Sequence, residues 1–113
     1  MSLFTLDTLA AIIKARKSAD AGASYTKSLL EKGPPRAAKK FGEEAVELVI
    51  AAIEGDKHPI VCESADVLYH LLVLLEASGV ALDEVLAELA QRTAQSGHQE
   101  KASRPAGPAV SGD

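Results

Sequence analysis

Tryptophan is absent from this chain of 113 residues, and there are only two tyrosines, two phenylalanines, one methionine and one cysteine. Without aromatic bulk, a core must be filled by Leu, Ile, Val and Ala, a composition that favours helices over a sandwich of short strands. The lone cysteine, Cys62, excludes an internal disulfide and fits a reducing compartment. It reads as a small core residue with no further role. A basic surplus is missing too: the net charge of −4 argues against a dedicated nucleic-acid binder. It leaves room for a phosphorylated substrate held through metal ions. The longest apolar run, residues 67–75, is interrupted by Tyr69 and His70 and is too short to span a bilayer. The N-terminus lacks the basic region, apolar run and small-residue cleavage site of an export signal. The expectation is a soluble, cytoplasmic protein with no membrane or nucleic-acid partner. A single small domain has little core for its surface, so association with a second copy is expected as well.

What is present is helical periodicity. Leu3, Leu6, Leu9, Ile12 and Ile13 recur at helical spacing, with Thr5 or Asp7 able to cap the start. Ser24-Tyr25-Thr26 opens a short second helix through Leu30, closed by Gly33-Pro34-Pro35. A third helix is expected from about Arg36 to Ile53, ended by Gly55, and a fourth from His58 or Pro59 to Ser78, stopped by Gly79. A fifth runs from Leu82 to about Gln95, with Asp83 and Glu84 suiting its dipole. The fold class is all-α: a bundle of four or five helices in one domain, residues 1–104. Residues 105–113, rich in Pro and Gly, read as a flexible tail.

The two long helices carry the chemistry. On the third, Ala38, Phe41, Ala45, Leu48 and Ala52 make an apolar stripe, and Glu44 and Glu47 share a neighbouring face with Glu43 beside them. On the fourth, Val61, Ala65, Leu68, Leu72 and Leu75 make the stripe, with Glu63, Asp66 and His70 together roughly opposite. Val67, Leu71, Val73 and Leu74 leave that helix apolar almost all round, which places Glu63 and Asp66 inside a bundle or an interface. Between Phe41 and Gln91, Lys57 is the one basic residue against eleven acidic ones. A buried carboxylate without a cation is expensive. An acidic string on one helix is usually a solvated face; facing pairs without cations point to a metal. Oxygen-only ligands suit Mg²⁺ or Mn²⁺.

Glu44-x-x-Glu47 followed by Glu63-x-x-Asp66 resembles the signature of the all-α nucleoside triphosphate pyrophosphatase superfamily, with its MazG-like enzymes and dimeric dUTPases. Ser24-Tyr25-Thr26, Lys39 to Glu47, Glu63 to Leu71, and Ser96-Gly97-x-x-Glu100-Lys101-Ala102-Ser103-Arg104 are similar to its phosphoribosyl-ATP pyrophosphohydrolase branch. The resemblance covers about residues 4–104. Phe41, His98 and Pro34-Pro35 depart from the branch without touching the ligand positions.

The resemblance implies hydrolysis of phosphoribosyl-ATP to phosphoribosyl-AMP and pyrophosphate, in histidine biosynthesis, by a homodimer. Glu44, Glu47, Glu63 and Asp66 are then the Mg²⁺ ligands, and Glu44 or Glu47 the catalytic base. Substrate-binding candidates are Ser24, Tyr25, Lys39, Lys40, His70, Arg92, Lys101 and Arg104. Several have plainer readings: Ser24 as a helix cap, Lys39 and Lys40 as a solvated helix start, His70 as a satisfied core residue. Tyr69 reads as packing, and Glu43 as a second-sphere residue or a partner of Lys40. Two rivals stay open: a house-cleaning hydrolase of ordinary or damaged nucleoside triphosphates, and a non-enzymatic adaptor using its apolar face.

Overall fold

The computed structural model describes residues 3–18 and 24–94. The helices, in chain order, are α1 (Leu6–Arg16), α2 (Tyr25–Lys32), α3 (Pro34–Glu54), α4 (Lys57–Ala77) and α5 (Leu82–Thr93), and no strand occurs among the described residues. The protein is all-α. Its chain divides into two compact units, Met1–Leu82 and Asp83–Asp113.

Local chemistry accounts for the starts and stops. Thr5 caps α1 in a reciprocal box with Thr8: each side chain accepts from the other's backbone N–H, at 3.1 and 3.3 Å. Ser24 caps α2 by accepting from the Lys27 N–H at 3.2 Å. The prolines do not separate α2 from α3, as expected, but form the first turn of α3, where a missing N–H costs nothing. The break is Gly33 alone, which ends α2 and begins α3 at φ 82°, ψ −178°. That backbone conformation is essentially reserved for glycine. Gly55, in the left-handed region at φ 87°, ends α3, and Asp56 begins α4.

The core of the first unit gathers Ile13 from α1, Leu29 from α2, Ala37 from α3, and Leu72 and Val73 from α4, with Leu9, Leu30, Leu74 and Leu75 packed around them. It lies where the start of α3 and the end of α4 meet the two short helices. α3 and α4 form the most extensive contact between elements, joined by the two residues Gly55 and Asp56.

The inward faces differ from the expected stripes. On α3, Ala37 and Ala51 are buried while Ala38 and Ala52 are exposed. Ala37, Glu44 and Ala51 repeat every seventh residue, so Glu44 sits on the same line as the two buried alanines. On α4, His70, Leu72 and Val73 are buried, whereas Val61, Ala65 and Leu68 of the expected stripe face outward. A helix apolar on most sides offers no periodic signal for which side turns in. Val46, Val49, Ile50 and Ile53 are likewise exposed, Ile53 at 81%. Cys62 is exposed and not a core residue; its Sγ lies 3.6 Å from His58 Nε2 on the outer side of α4.

In the second unit, α5 carries Asp83 and Glu84 in its first turn and Arg92 in its last. Arg92 Nε donates to Glu88 Oε2 at 3.0 Å. No single helix among the described residues is long and apolar enough to cross a membrane.

Candidate active site

The carboxylates of α3 and α4 converge. Glu44, Glu63 and Asp66 each offer a ligand oxygen, all within 4.8 Å of one another. Glu47 joins them, near enough for its charge to act on both Glu44 and Glu63. Carboxylates gathered this closely, away from water, hold protons more tightly than isolated ones. Burial raises the Glu44 carboxyl above the ordinary range, with the charge of Glu47 adding to it and nearby His70 pulling the other way. Glu63 is raised too, first by desolvation, then by the charges of Glu47 and Asp66. One Glu63 oxygen, Oε1, is buried with no hydrogen-bond partner.

A cation does reach this cluster, contrary to the expectation of none. Lys40 stands one turn before Glu44 on α3, with Nζ 3.8 Å from Glu44 Oε1 and 3.8 Å from Glu43 Oε1. One lysine shared between two carboxylates does not neutralise four, and the orphaned Glu63 oxygen lies beyond its ion pairs. The residues fit a divalent cation: oxygen donors only, clustered, with Glu44 and Glu63 half-buried, while Asp66 and Glu47 are exposed, so Asp66 does not lie inside as expected.

α2 meets α4 one turn beyond Asp66. His70, 6% exposed, lies one turn beyond Asp66, and its Nδ1–H donates to the Asp66 carbonyl at 2.8 Å. In the neutral ring Nε2 is then the acceptor, facing the Tyr25 hydroxyl at 3.4 Å. Tyr69 does more than pack, since its hydroxyl bonds to that of Thr26. The rings of Tyr25, Tyr69 and His70 form one cluster, with His70 edge-on to Tyr69 at 4.9 Å and Tyr25 stacked over Tyr69 at 6.5 Å.

The remaining candidates are dispersed. Ser24 is engaged as the α2 cap, Lys39 is exposed near the start of α3, and Arg92 belongs to the second unit. Lys101 and Arg104 lie outside the described residues, as do the tail and the motif from Ser96 onward. Sequence reading gave Thr26 no role beyond its motif and passed over a pocket of about 230 Å³ lined by Glu47, Ile50, Ala51, Glu54, Pro59 and Glu63. Glu54 stands seven residues after Glu47, and that heptad spacing was the available signal.

This is the helical-bundle architecture of the MazG-like class. Within that class the chain belongs to the phosphoribosyl-ATP pyrophosphohydrolase family, whose model matches residues 6–93, and it is a hydrolase. The chain is 63% identical over 100 residues to the phosphoribosyl-ATP pyrophosphatase of Azorhizobium caulinodans, covering 88% of this chain and 92% of the relative. It is 60% identical over 104 residues to phosphoribosyl-ATP pyrophosphatase 1 of Rhodopseudomonas palustris, covering 92% and 97%. It is also 60% identical over 102 residues to the phosphoribosyl-ATP pyrophosphatase of Ruegeria pomeroyi, covering 90% and 97%.

Proposed function

We propose that this hydrolase cleaves phosphoribosyl-ATP at the linkage between its α- and β-phosphates, giving phosphoribosyl-AMP and pyrophosphate in histidine biosynthesis. The observation that carries the reading is the convergence of Glu44, Glu63 and Asp66 with Glu47 on the facing sides of α3 and α4, in a chain of this family. These four residues would hold Mg²⁺, with Mn²⁺ as the alternative. When bound, the ion supplies neutralisation of polyphosphate charge and Lewis acidity at the attacked phosphorus.

The chain's own groups do the rest. Glu44 or Glu47 accepts the proton of the attacking water; the surroundings of Glu44 raise its affinity for that proton. Lys40, paired with Glu43 and Glu44 in the free protein, is close enough to turn to an incoming phosphate. Tyr25, 55% exposed beside His70, contacts the substrate from α2. Lys39, Arg92, Lys101 and Arg104 remain the further phosphate-binding candidates.

A second copy of the chain covers the outer apolar face of Val46, Val49, Ile53 and Val61, each more than half exposed. Burying such a face within a cytoplasmic homodimer removes a patch that a small monomer rarely leaves open.

The test is pyrophosphate release with Mg²⁺ from phosphoribosyl-ATP, beside a panel of ordinary nucleoside triphosphates. Strong preference for phosphoribosyl-ATP, lost in Glu47→Gln, supports the reading. Turnover of the ordinary triphosphates instead moves the protein to the house-cleaning activity.

A further inference from the structure

We propose that the hydrogen bond between Thr26 and Tyr69 is a positioning device, which orients α2 so that Tyr25 is held against His70, one turn beyond Asp66 of the carboxylate site. Thr26 is 1% exposed. Burying a hydroxyl costs free energy unless it is paired, and valine would fill nearly the same space without that cost. The hydroxyl is therefore more than packing requires. It bonds to the Tyr69 hydroxyl, while the preceding residue, Tyr25, meets the residue following Tyr69, His70.

Two consecutive residues of α2 are thus tied to two consecutive residues of α4. A single tie would leave the short helix free to roll about its contact. Two ties at azimuths about 100° apart on each helix remove that freedom. The Tyr25–His70 contact alone is a weak tie, at 3.4 Å and from a side chain that is more than half exposed. The buried Thr26–Tyr69 bond is the one able to set the angle. His70 is itself anchored by its ring N–H to the Asp66 carbonyl. The orientation of α2 is therefore referred directly to the turn of α4 that carries Asp66.

Thr26 and Tyr69 act through Tyr25 and are positioning residues. The kinetic part of this inference rests on the proposed hydrolysis; the structural part does not. The experiment compares Thr26→Val, Thr26→Ser and the double variant Thr26→Val/Tyr69→Phe with the unaltered chain. KM and kcat for phosphoribosyl-ATP are read with Mg²⁺, and hydrogen exchange is read across α2. The double variant replaces both partners by apolar groups of like shape, so the fold persists. A bond of ordinary strength corresponds to a rise in KM of about fivefold in Thr26→Val and in the double variant, with kcat nearly unchanged. Thr26→Ser restores the hydroxyl and the KM. Exchange in α2 accelerates in Thr26→Val and in the double variant, and not in Thr26→Ser.

An unchanged KM in the double variant, or a loss that serine does not rescue, overturns the proposal. If the unaltered chain does not hydrolyse phosphoribosyl-ATP, the functional reading fails. The exchange pattern then decides: acceleration rescued by serine upholds the tie, and unchanged exchange refutes it.

Discussion

Glu47 on α3 faces Glu63 on α4 closely enough for its charge to act on it, in a cluster where burial already raises the proton affinity of Glu63. A carboxyl whose affinity for protons is higher folded than unfolded stabilises the fold while protonated. That contribution is lost as the pH rises through its raised folded value. The metal-free protein should therefore lose stability on going from the ordinary carboxylate range toward neutrality. Glu63→Gln, which cannot ionise, should be spared. Thermal melts of the two across that range should diverge, with the variant gaining on the unaltered chain as pH rises. Parallel curves would mean that Glu63 does not carry the strain.

A divalent cation should reverse this loss. At Mg²⁺ a hundredfold above its dissociation constant, the expected stabilisation is about 2.7 kcal/mol, seen as a rise in melting temperature at neutral pH. Glu63→Gln and Asp66→Asn should blunt that rise, because each removes a charged member of the cluster. Calorimetric titration of the three proteins with Mg²⁺ and Mn²⁺ would check it.

Gly42 sits in the interior of α3, where a side chain would meet no described atom within 4 Å. Gly42→Ala should stabilise the helix by about 0.5–1 kcal/mol, raising the melting temperature by a few degrees. If KM rises at the same time, the bare backbone beside Glu43 and Glu44 is where substrate approaches. An unaltered KM would leave the glycine without a role in binding.

The outer face of α3 and α4 makes a prediction about association. Ile53→Asp places a charge on a residue 81% exposed in the single chain, so the monomer should tolerate it within about 0.5 kcal/mol. Sedimentation should register the change instead, as a shift from dimer to monomer. A sedimentation profile identical to that of the unaltered chain would exclude this face from the interface.

The five helices were legible from spacing, capping residues and glycine stops, because those signals are local: Thr5, Ser24, Gly55 and Gly79 each act within a few residues of themselves. The choice of buried face was not. α3 and α4 carry aliphatic residues around most of their circumference, so Ala38 and Ala52 look as good for a core as Ala37 and Ala51. Only the partner helices decide between them. Cys62 followed the same pattern, small and flanked by apolar residues yet turned outward. The acidic cluster could be read from the pairing of two carboxylate motifs, whereas the Thr26–Tyr69 bond joins residues far apart in sequence and left no periodic trace. Lys40 was overlooked as a partner of Glu44 because it lies just ahead of the cation-poor stretch, one turn away along the same helix.

The two-residue connection between α3 and α4 has a bearing on how the molecule comes to be folded. All four carboxylates lie on a single helical hairpin, so bringing them together closes only a short loop and needs no contact with either end of the chain. Such local pairings form early and fast. The mutual repulsion of the acids therefore arises at the outset, before α1 and α2 have docked to offset it. With the proposed divalent ion present during folding, that obstacle should be eased by its counter-charge. The same chain refolded in chelator meets it alone, and its slowest step should be the closing of this hairpin.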